Sequence, residues 1–126
     1  MLIKILKSFS SAFHGLRLAY KSDKSFKLEV WASPILLIFA YFFWPLEYYE
    51  ILFLALALLL IFITELINTA FERALERLHP DRHELIGVSK DIAASAVLVA
   101  VFFAGCVLLT IAYRHLFAYL PNSFML

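Results

Sequence analysis

A long uninterrupted apolar run near the end of the chain restricts the folds that the protein can adopt. Residues 92 to 113, IAASAVLVAVFFAGCVLLTIAY, contain no charged side chain over twenty-two positions. At about 1.5 Å per residue, a helix of this length crosses the hydrocarbon core of a bilayer, which is about 30 Å thick. Hydrophobic residues make up 63% of the chain, against about 45 to 50% in soluble domains. We therefore predict an all-α membrane protein.

Two earlier runs are also apolar enough to span. Residues 30 to 46, VWASPILLIFAYFFWPL, give seventeen uncharged positions. The run from 51 to 64 has only fourteen, about 21 Å of helix, so its helix has to begin near Tyr48 and continue into the charged segment that follows. We predict transmembrane helices over about 26–46, 48–78 and 90–115, within a single domain that comprises residues 1–126.

The first twenty-one residues have the pattern of a helix that lies on the membrane surface. Large apolar side chains recur at spacings of three and four, with lysines, an arginine and serines between them. The apolar positions are Leu2, Leu6, Phe9, Phe13 and Leu16. Residues 1–21 are therefore predicted to form an amphipathic interfacial helix.

The placement of the basic residues predicts the orientation in the membrane. Six of the eleven precede the first span and four flank the second loop, whereas the segment PLEYYE, 45 to 50, has none. These are Lys4, Lys7, Arg17, Lys21, Lys24, Lys27, and then Arg73, Arg77, Arg82 and Lys90. By the positive-inside rule the N-terminus and the second loop are cytoplasmic. A formal net charge of +1 gives no basic field that would indicate nucleic acid.

The second span ends in the polar segment ELINTAFERALE, residues 65 to 76. At 100° per residue, Glu65, Asn68, Glu72 and Glu76 fall in a sector about 80° wide. Counted from Tyr48, Glu65 lies roughly 25 Å along the helix, just inside the hydrocarbon, and Glu72 lies about 10 Å further toward water. One carboxylate is predicted at lipid depth and another at the cytosolic surface.

This polar face allows more than one interpretation. Glu72 and Glu76 could form a solvated helix end, screened by Arg73 and Arg77. Glu65 fits that interpretation poorly, because an intramembrane carboxylate usually marks a proton, ion or substrate site. Such a carboxylate can take a proton from a lipid hydroxyl, and Mg²⁺ prefers carboxylate and phosphate oxygens. The rival interpretations are a proton-coupled transporter with Glu65 as carrier, and a scaffold without chemistry.

ELINTAFERALE, with HGLRLAYKSDKSFKLE before it and HELIGVSKDIAASAVLVA after it, resembles the prokaryotic diacylglycerol kinase family, small bacterial membrane enzymes that include undecaprenol kinases. The resemblance covers about residues 9 to 115. It implies three transmembrane helices and a surface helix per chain, homotrimers with active sites where chains meet, and a location in the bacterial inner membrane with a cytoplasmic site. It also implies transfer of the ATP γ-phosphate to a lipid alcohol, with Mg²⁺.

The resemblance assigns roles to five carboxylate and amide residues. Glu65 would be the general base for the lipid hydroxyl, and Asn68 would help to hold the substrate and phosphates. Glu72 would bind Mg²⁺, and Asp23 matches a second metal-binding carboxylate that is usually Glu. Segment 25–29, which ends in Glu29, would border the lipid entrance.

It assigns the nucleotide to residues near the second loop. Lys90 and Asp91 would meet the phosphate chain, and Asp81 and His83 fall where the family contacts the nucleoside. Glu76, where the family usually has Asp, would also lie at the nucleotide. Phe71 replaces an aliphatic residue, and together with Glu76 and Asp23 it departs from the family pattern.

Each of these residues also has a plain structural interpretation. Asp23 is a candidate helix cap, and Lys90 and Asp91 could merely end the third span. His83 could be solvated, and Asn68 could only hydrogen-bond between helices.

The sequence motifs divide between two candidate lipid substrates. HELIG is similar to the diacylglycerol kinases, whereas AFHGL and DIAASAVLVA are at least as similar to the undecaprenol kinases. We predict diacylglycerol, converted to phosphatidic acid, with undecaprenol as the alternative. The three glycines form no P-loop, so nucleotide binding has to rest on other residues.

Overall fold

The computed structural model describes residues 1–81 and 83–118, and within these ranges all regular structure is α-helical. The helices are α1 Leu2–Ser22, α2 Lys24–Ala32, α3 Pro34–Phe42, α4 Tyr48–Leu78 and α5 Glu84–Ala118. In the part of the chain that the structure describes, three stretches are long and apolar enough to cross a membrane: Lys24–Phe42, Tyr48–Leu78 and Glu84–Ala118. The predicted all-α fold with three candidate spans is confirmed.

The first span is two helices rather than one. It breaks between Ala32 and Pro34, because proline has no backbone N–H to donate to the preceding turn. Ser33 continues with helical backbone angles, so α2 and α3 follow each other closely. The apolar stretch ends at Phe42, short of the expected residue 46.

Helices α4 and α5 form a long antiparallel hairpin. They have 31 and 35 residues, which gives lengths of about 46 and 52 Å. Both lengths exceed the hydrocarbon thickness of about 30 Å, so the polar ends of the hairpin extend past it. Helix α5 starts at Glu84, earlier than the expected residue 90, and His83 Nδ1 accepts a hydrogen bond of 3.3 Å from the Leu85 N–H. Lys90 therefore lies inside α5, more than one turn from its start.

The buried core is small, and most large apolar side chains face outward. Leu54 of α4 packs with Val107 and Ile111 of α5, and the partly buried Phe39 of α3 and Phe43, which follows α3, cover them. In a bilayer the outward side chains contact lipid, so their exposure is the pattern of a multi-pass membrane protein.

Helix α1 joins the bundle through its C-terminal end. Ala19 is its buried residue, Tyr20 accepts a 3.0 Å hydrogen bond from the Trp31 indole of α2, and Arg73 of α4 donates to the Ser22 hydroxyl. These contacts hold the α1–α2 junction beside the polar end of α4.

Candidate active site

Helix α4 carries its polar face from the protein interior out to water. Glu65 and Asn68 are only 4% and 9% exposed, Glu72 is half-buried, and Glu76 is exposed. The helix contains neither Gly nor Pro, so the 3.6-residue period is kept through this segment. The face predicted from the spacing is thus present, with its inner half shielded from solvent.

Asp23 connects the α1–α2 junction to this face. One carboxylate oxygen, Oδ1, accepts hydrogen bonds from the backbone N–H groups of Ser25 (2.8 Å) and Phe26 (3.2 Å), which caps α2. The other, Oδ2, accepts from the hydroxyl of Thr69 on α4. The capping interpretation is therefore confirmed, and the same carboxylate is fixed next to the polar face of α4.

Four carboxylates interact electrostatically at this place. Glu65 is repelled by both Asp23 and Glu72, and Glu29 of α2 is repelled by Glu65 and Asp23. Within residues 1–81 and 83–118 none of the four forms a salt bridge. A cluster of like charges in a partly desolvated place needs a cation or a proton, and it attracts one.

Two buried side-chain oxygen atoms near the site have no hydrogen-bond donor in the described part of the chain. Glu29 Oε2 and Asn68 Oδ1 are inaccessible to solvent and accept no hydrogen bond from the described part of the chain. An unsatisfied buried polar atom costs about 1 to 3 kcal/mol. Hydrogen bonding between helices does not account for the Asn68 oxygen, whereas a bound ligand or ion would.

The residues fit a divalent metal ion that is shared with a substrate. The described residues contain no group of three or more His, Cys, Asp or Glu side chains arranged to hold a metal. Mg²⁺ is usually bound by one or two carboxylates together with substrate phosphates, not by a complete protein cage. Glu72 and Asp23 with the free Asn68 oxygen match that kind of site, because all their ligating atoms are oxygens.

A second polar region lies at the turn from α4 to α5. Lys90 Nζ contacts Glu76 Oε1 at 2.7 Å and links the two helices. This pair borders a cavity of about 520 Å³ that Asp81 and His83 also line. Of the residues predicted near the nucleotide, only Asp91 stands apart, since it is exposed and does not line this cavity.

The screening of the carboxylates by arginines is present in part, as an electrostatic attraction between Arg73 and Glu76 without a direct ion pair. Arg73 donates to Ser22, and Glu76 pairs with Lys90 rather than with Arg73 or Arg77.

Sequence reasoning missed Thr69 and an ionic cluster at the opposite end of the hairpin. In that cluster Glu50, 2% exposed, accepts from Arg114 Nη1 at 2.9 Å and lies 3.1 Å from His115 Nε2. The sequence contains a signal for this cluster. In an antiparallel hairpin the start of α4 faces the end of α5, and charged residues occur at both places, Glu50 in α4 and Arg114 in α5.

The bond from Thr69 to Asp23 gives a stability prediction. Thr69→Val keeps the side-chain shape and removes the donor, so we expect the free energy of unfolding to fall by about 1.5 kcal/mol, low for a bond to a charged group because Asp23 is only half-buried. The measurement is denaturant unfolding in detergent micelles. Thr64→Val is the matched control, since Thr64 donates only within α4. Equal losses in both variants would contradict a stabilising role for the Asp23 contact.

Fold and site together describe a small multi-pass membrane protein with an acidic, partly desolvated site at one end of its helices. The family model described as prokaryotic diacylglycerol kinase matches residues 10–112. The chain belongs to that family, as the motif around Glu65 led us to expect.

Individual relatives agree with the family match. A diacylglycerol kinase of Haemophilus influenzae is 30% identical over 106 residues, which cover 84% of this chain and 89% of that protein. One of Escherichia coli K12 is 29% identical over 109 residues, 84% of this chain and 88% of that protein. One of Synechocystis is 34% identical over 110 residues, 83% of this chain and 62% of that protein.

The protein is therefore an enzyme, a kinase of the membrane. Membership of a kinase family implies ATP and a divalent metal ion. The family match favours a kinase over the proton-coupled transporter and over the scaffold without chemistry, because the family and the named relatives are kinases.

Proposed function

We propose that this protein transfers the γ-phosphate of ATP to the hydroxyl of diacylglycerol and so forms phosphatidic acid. The observation that carries the proposal is the buried carboxylate of Glu65 among three other acidic groups. The length of α4 predicts that this carboxylate lies just inside the hydrocarbon, within reach of a lipid hydroxyl. The relatives named diacylglycerol kinase support the choice of lipid.

Glu65 acts as the general base in this proposal. It accepts the hydroxyl proton while the hydroxyl oxygen attacks the γ-phosphorus, the bond from that phosphorus to the β–γ bridging oxygen breaks, and ADP leaves. Asn68, one turn further along α4, positions the reacting groups with its free amide oxygen. Burial of Glu65 keeps competing water away from the base.

Glu72 and Asp23 would hold Mg²⁺. The ion supplies charge neutralisation for the transferred phosphoryl group. Asp23 is kept in place by its capping bonds and by Thr69, so one of its oxygens can serve as a ligand without a change in the backbone.

The nucleotide would occupy the cavity between α4 and α5. Lys90 would bind the phosphates after it releases its ion pair with Glu76. Asp81 and His83 border the space for the nucleoside. Asp91 supports the phosphate region through α5 in this arrangement, and Glu29 borders the lipid entrance.

The assembly and orientation belong to the same proposal. We propose one domain over residues 1–126, homotrimers whose sites form where chains meet, and a place in the bacterial inner membrane with the N-terminus and the site in the cytoplasm. The unpartnered oxygens at Asn68 and Glu29 are compatible with a site that a neighbouring chain helps to complete. The basic residues before α3 support the orientation.

An assay with two lipids tests the proposed reaction. Purified protein in detergent, with γ-labelled ATP and Mg²⁺, is expected to label diacylglycerol more rapidly than undecaprenol. A chelator should abolish labelling, and added Mg²⁺ should restore it. Labelling of undecaprenol alone would reassign the substrate, and labelling of neither lipid by folded protein would contradict the lipid-kinase proposal.

A further inference from the structure

The end of the hairpin opposite the candidate active site carries a groove that the proposed reaction does not use. It has a volume of about 290 Å³ and lies between the start of α4 and the C-terminal part of α5. Its lining is mostly apolar and includes Phe53, Phe103, Cys106 and Thr110, with Arg114 at its polar end. Phe53, Cys106 and Thr110 are exposed, so the groove opens toward the surroundings of the bundle. We call it the Arg114 groove.

The Arg114 groove follows one face of α5 and has the length of one membrane leaflet. At 100° per residue, positions 103, 106, 107, 110 and 114 fall in a sector about 100° wide. The eleven positions from Phe103 to Arg114 correspond to about 16 Å of helix. This is about half of the hydrocarbon thickness of about 30 Å. A lipid chain of one leaflet fits that length, whereas a spanning helix of a second copy would extend beyond it.

Arg114 brings a guanidinium group to the depth of lipid headgroups. The uncharged run 92–113 ends immediately before it, so Arg114 is the first charge beyond the hydrocarbon at this end of α5. Its Nη1 donates to the Tyr49 hydroxyl and to the Glu50 carboxylate. Its Nη2 lies 3.6 Å from Glu47, beyond hydrogen-bond distance, and has no acceptor within residues 1–81 and 83–118. Since the side chain is 46% exposed, this nitrogen is available to a phosphate from outside.

The charges around Arg114 restrict the kind of headgroup. Two carboxylates, those of Glu47 and Glu50, lie near Arg114, and His115 contacts Glu50 as well. The cluster has no excess of positive charge that would favour an anionic headgroup. A zwitterionic headgroup also offers a phosphate to the guanidinium, and its own ammonium offsets the charge of that phosphate.

We propose that the Arg114 groove binds a zwitterionic phospholipid, with one acyl chain along α5 and the phosphate on Arg114. Arginine suits this contact because its planar group donates to two phosphate oxygens at once. The lipid belongs to the leaflet opposite the candidate active site. It is therefore a bound neighbour of the enzyme and is distinct from the lipid that is phosphorylated.

The test uses photoactivatable lipids and the full chain in micelles of dodecyl maltoside. Three probes carry the same diazirine in the middle of one acyl chain and differ only in the headgroup. They are phosphatidylethanolamine, phosphatidylglycerol and diacylglycerol. No nucleotide is added, so no probe is phosphorylated. After illumination, mass spectrometry of peptides locates the labelled residues.

We expect the phosphatidylethanolamine probe to label residues 103–110 about tenfold more than the diacylglycerol probe, which lacks the phosphate. The phosphatidylglycerol probe should label them about threefold less than phosphatidylethanolamine, because its net negative charge meets two carboxylates. Thr110→Phe fills the groove and should lower labelling by phosphatidylethanolamine about tenfold. Leu109→Phe is the matched control, since Leu109 is 73% exposed on α5 outside the groove, and it should be labelled like the parent protein.

Four results would overturn the proposal. They are equal labelling by phosphatidylethanolamine and diacylglycerol, stronger labelling by phosphatidylglycerol, equal labelling of Thr110→Phe and Leu109→Phe, and no label within 103–110 from any probe. The last would indicate that a second copy covers the groove.

Arg114→Gln removes the guanidinium, so it should abolish the preference for phosphatidylethanolamine over diacylglycerol, and a retained preference would also contradict the proposal. If this variant does not fold, the pair Thr110→Phe and Leu109→Phe decides. The readout is the position of the label and requires no turnover, so its outcome is separate from that of the kinase assay.

Discussion

Glu65→Gln is expected to lower the turnover of phosphate transfer by about 10²- to 10⁴-fold, the range typical of a lost general base. The amide has nearly the same shape and cannot accept the hydroxyl proton. Binding of ATP should change little, because the proposed nucleotide cavity lies near the α4–α5 turn, about 16 Å further along α4 at Glu76. The measurement is kcat and KM for both substrates in detergent micelles.

Glu47→Gln is the matched control. Glu47 precedes α4 at the opposite end, its side chain is largely exposed, and its contact with Arg114 is long, at 3.6 Å. We expect its activity to stay close to that of the parent protein. If Glu65→Gln retained ordinary turnover in folded protein, Glu65 would not be the base, and Glu29 would be the next carboxylate to test.

The second large effect is expected at the opposite end of the hairpin. Arg114→Met leaves the buried carboxylate of Glu50 without its arginine partner. Loss of one partner from a buried ion pair costs about 3 to 5 kcal/mol. We expect at most about 3 here, because the Arg114 side chain is 46% exposed and because His115 and the Glu47 N–H still contact Glu50. Unfolding in mixed micelles of sodium dodecyl sulfate and a mild detergent measures the difference.

A double variant separates charge burial from packing. Glu50→Gln combined with Arg114→Met removes both charges, so it should recover most of the lost stability. Arg77→Met, an exposed residue near the end of α4, is the control and should cost less than about 1 kcal/mol. If the double variant were as unstable as Arg114→Met alone, the loss would come from packing of the arginine rather than from the uncompensated carboxylate.

The helical periodicity of α4 made its polar face predictable. No Gly or Pro interrupts Tyr48–Leu78, so simple angular spacing places Glu65, Asn68 and Glu72 together. The end of this helix could also be predicted from the sequence, since Pro80 follows it. Charge-free length was sufficient to predict the first and third spans, whereas the second required extension of its fourteen-residue run into the charged segment that follows.

Contacts between distant segments could not be predicted in the same way. Asp23 and Thr69 are 46 positions apart, and their contact depends on how the α1–α2 junction packs against α4. The break before Pro34 and the early start of α5 also depend on local hydrogen bonding that a hydropathy pattern does not contain. The chemical roles of the site residues stay predictions, because they depend on substrates as well as on packing.

The apolar part of α4 has a consequence for the choice of membrane. Its uncharged run from 51 to 64 spans only about 21 Å, whereas α5 has twenty-two uncharged positions. In a thicker bilayer this mismatch has to be relieved by tilting the hairpin, thinning the lipid or drawing Glu65 deeper. Acyl-chain length and sterol-like thickening of the bilayer would thus tune the hydration of the carboxylate from outside the protein. The bilayer would therefore influence the activity of the enzyme through its thickness, in addition to supplying the lipid substrate.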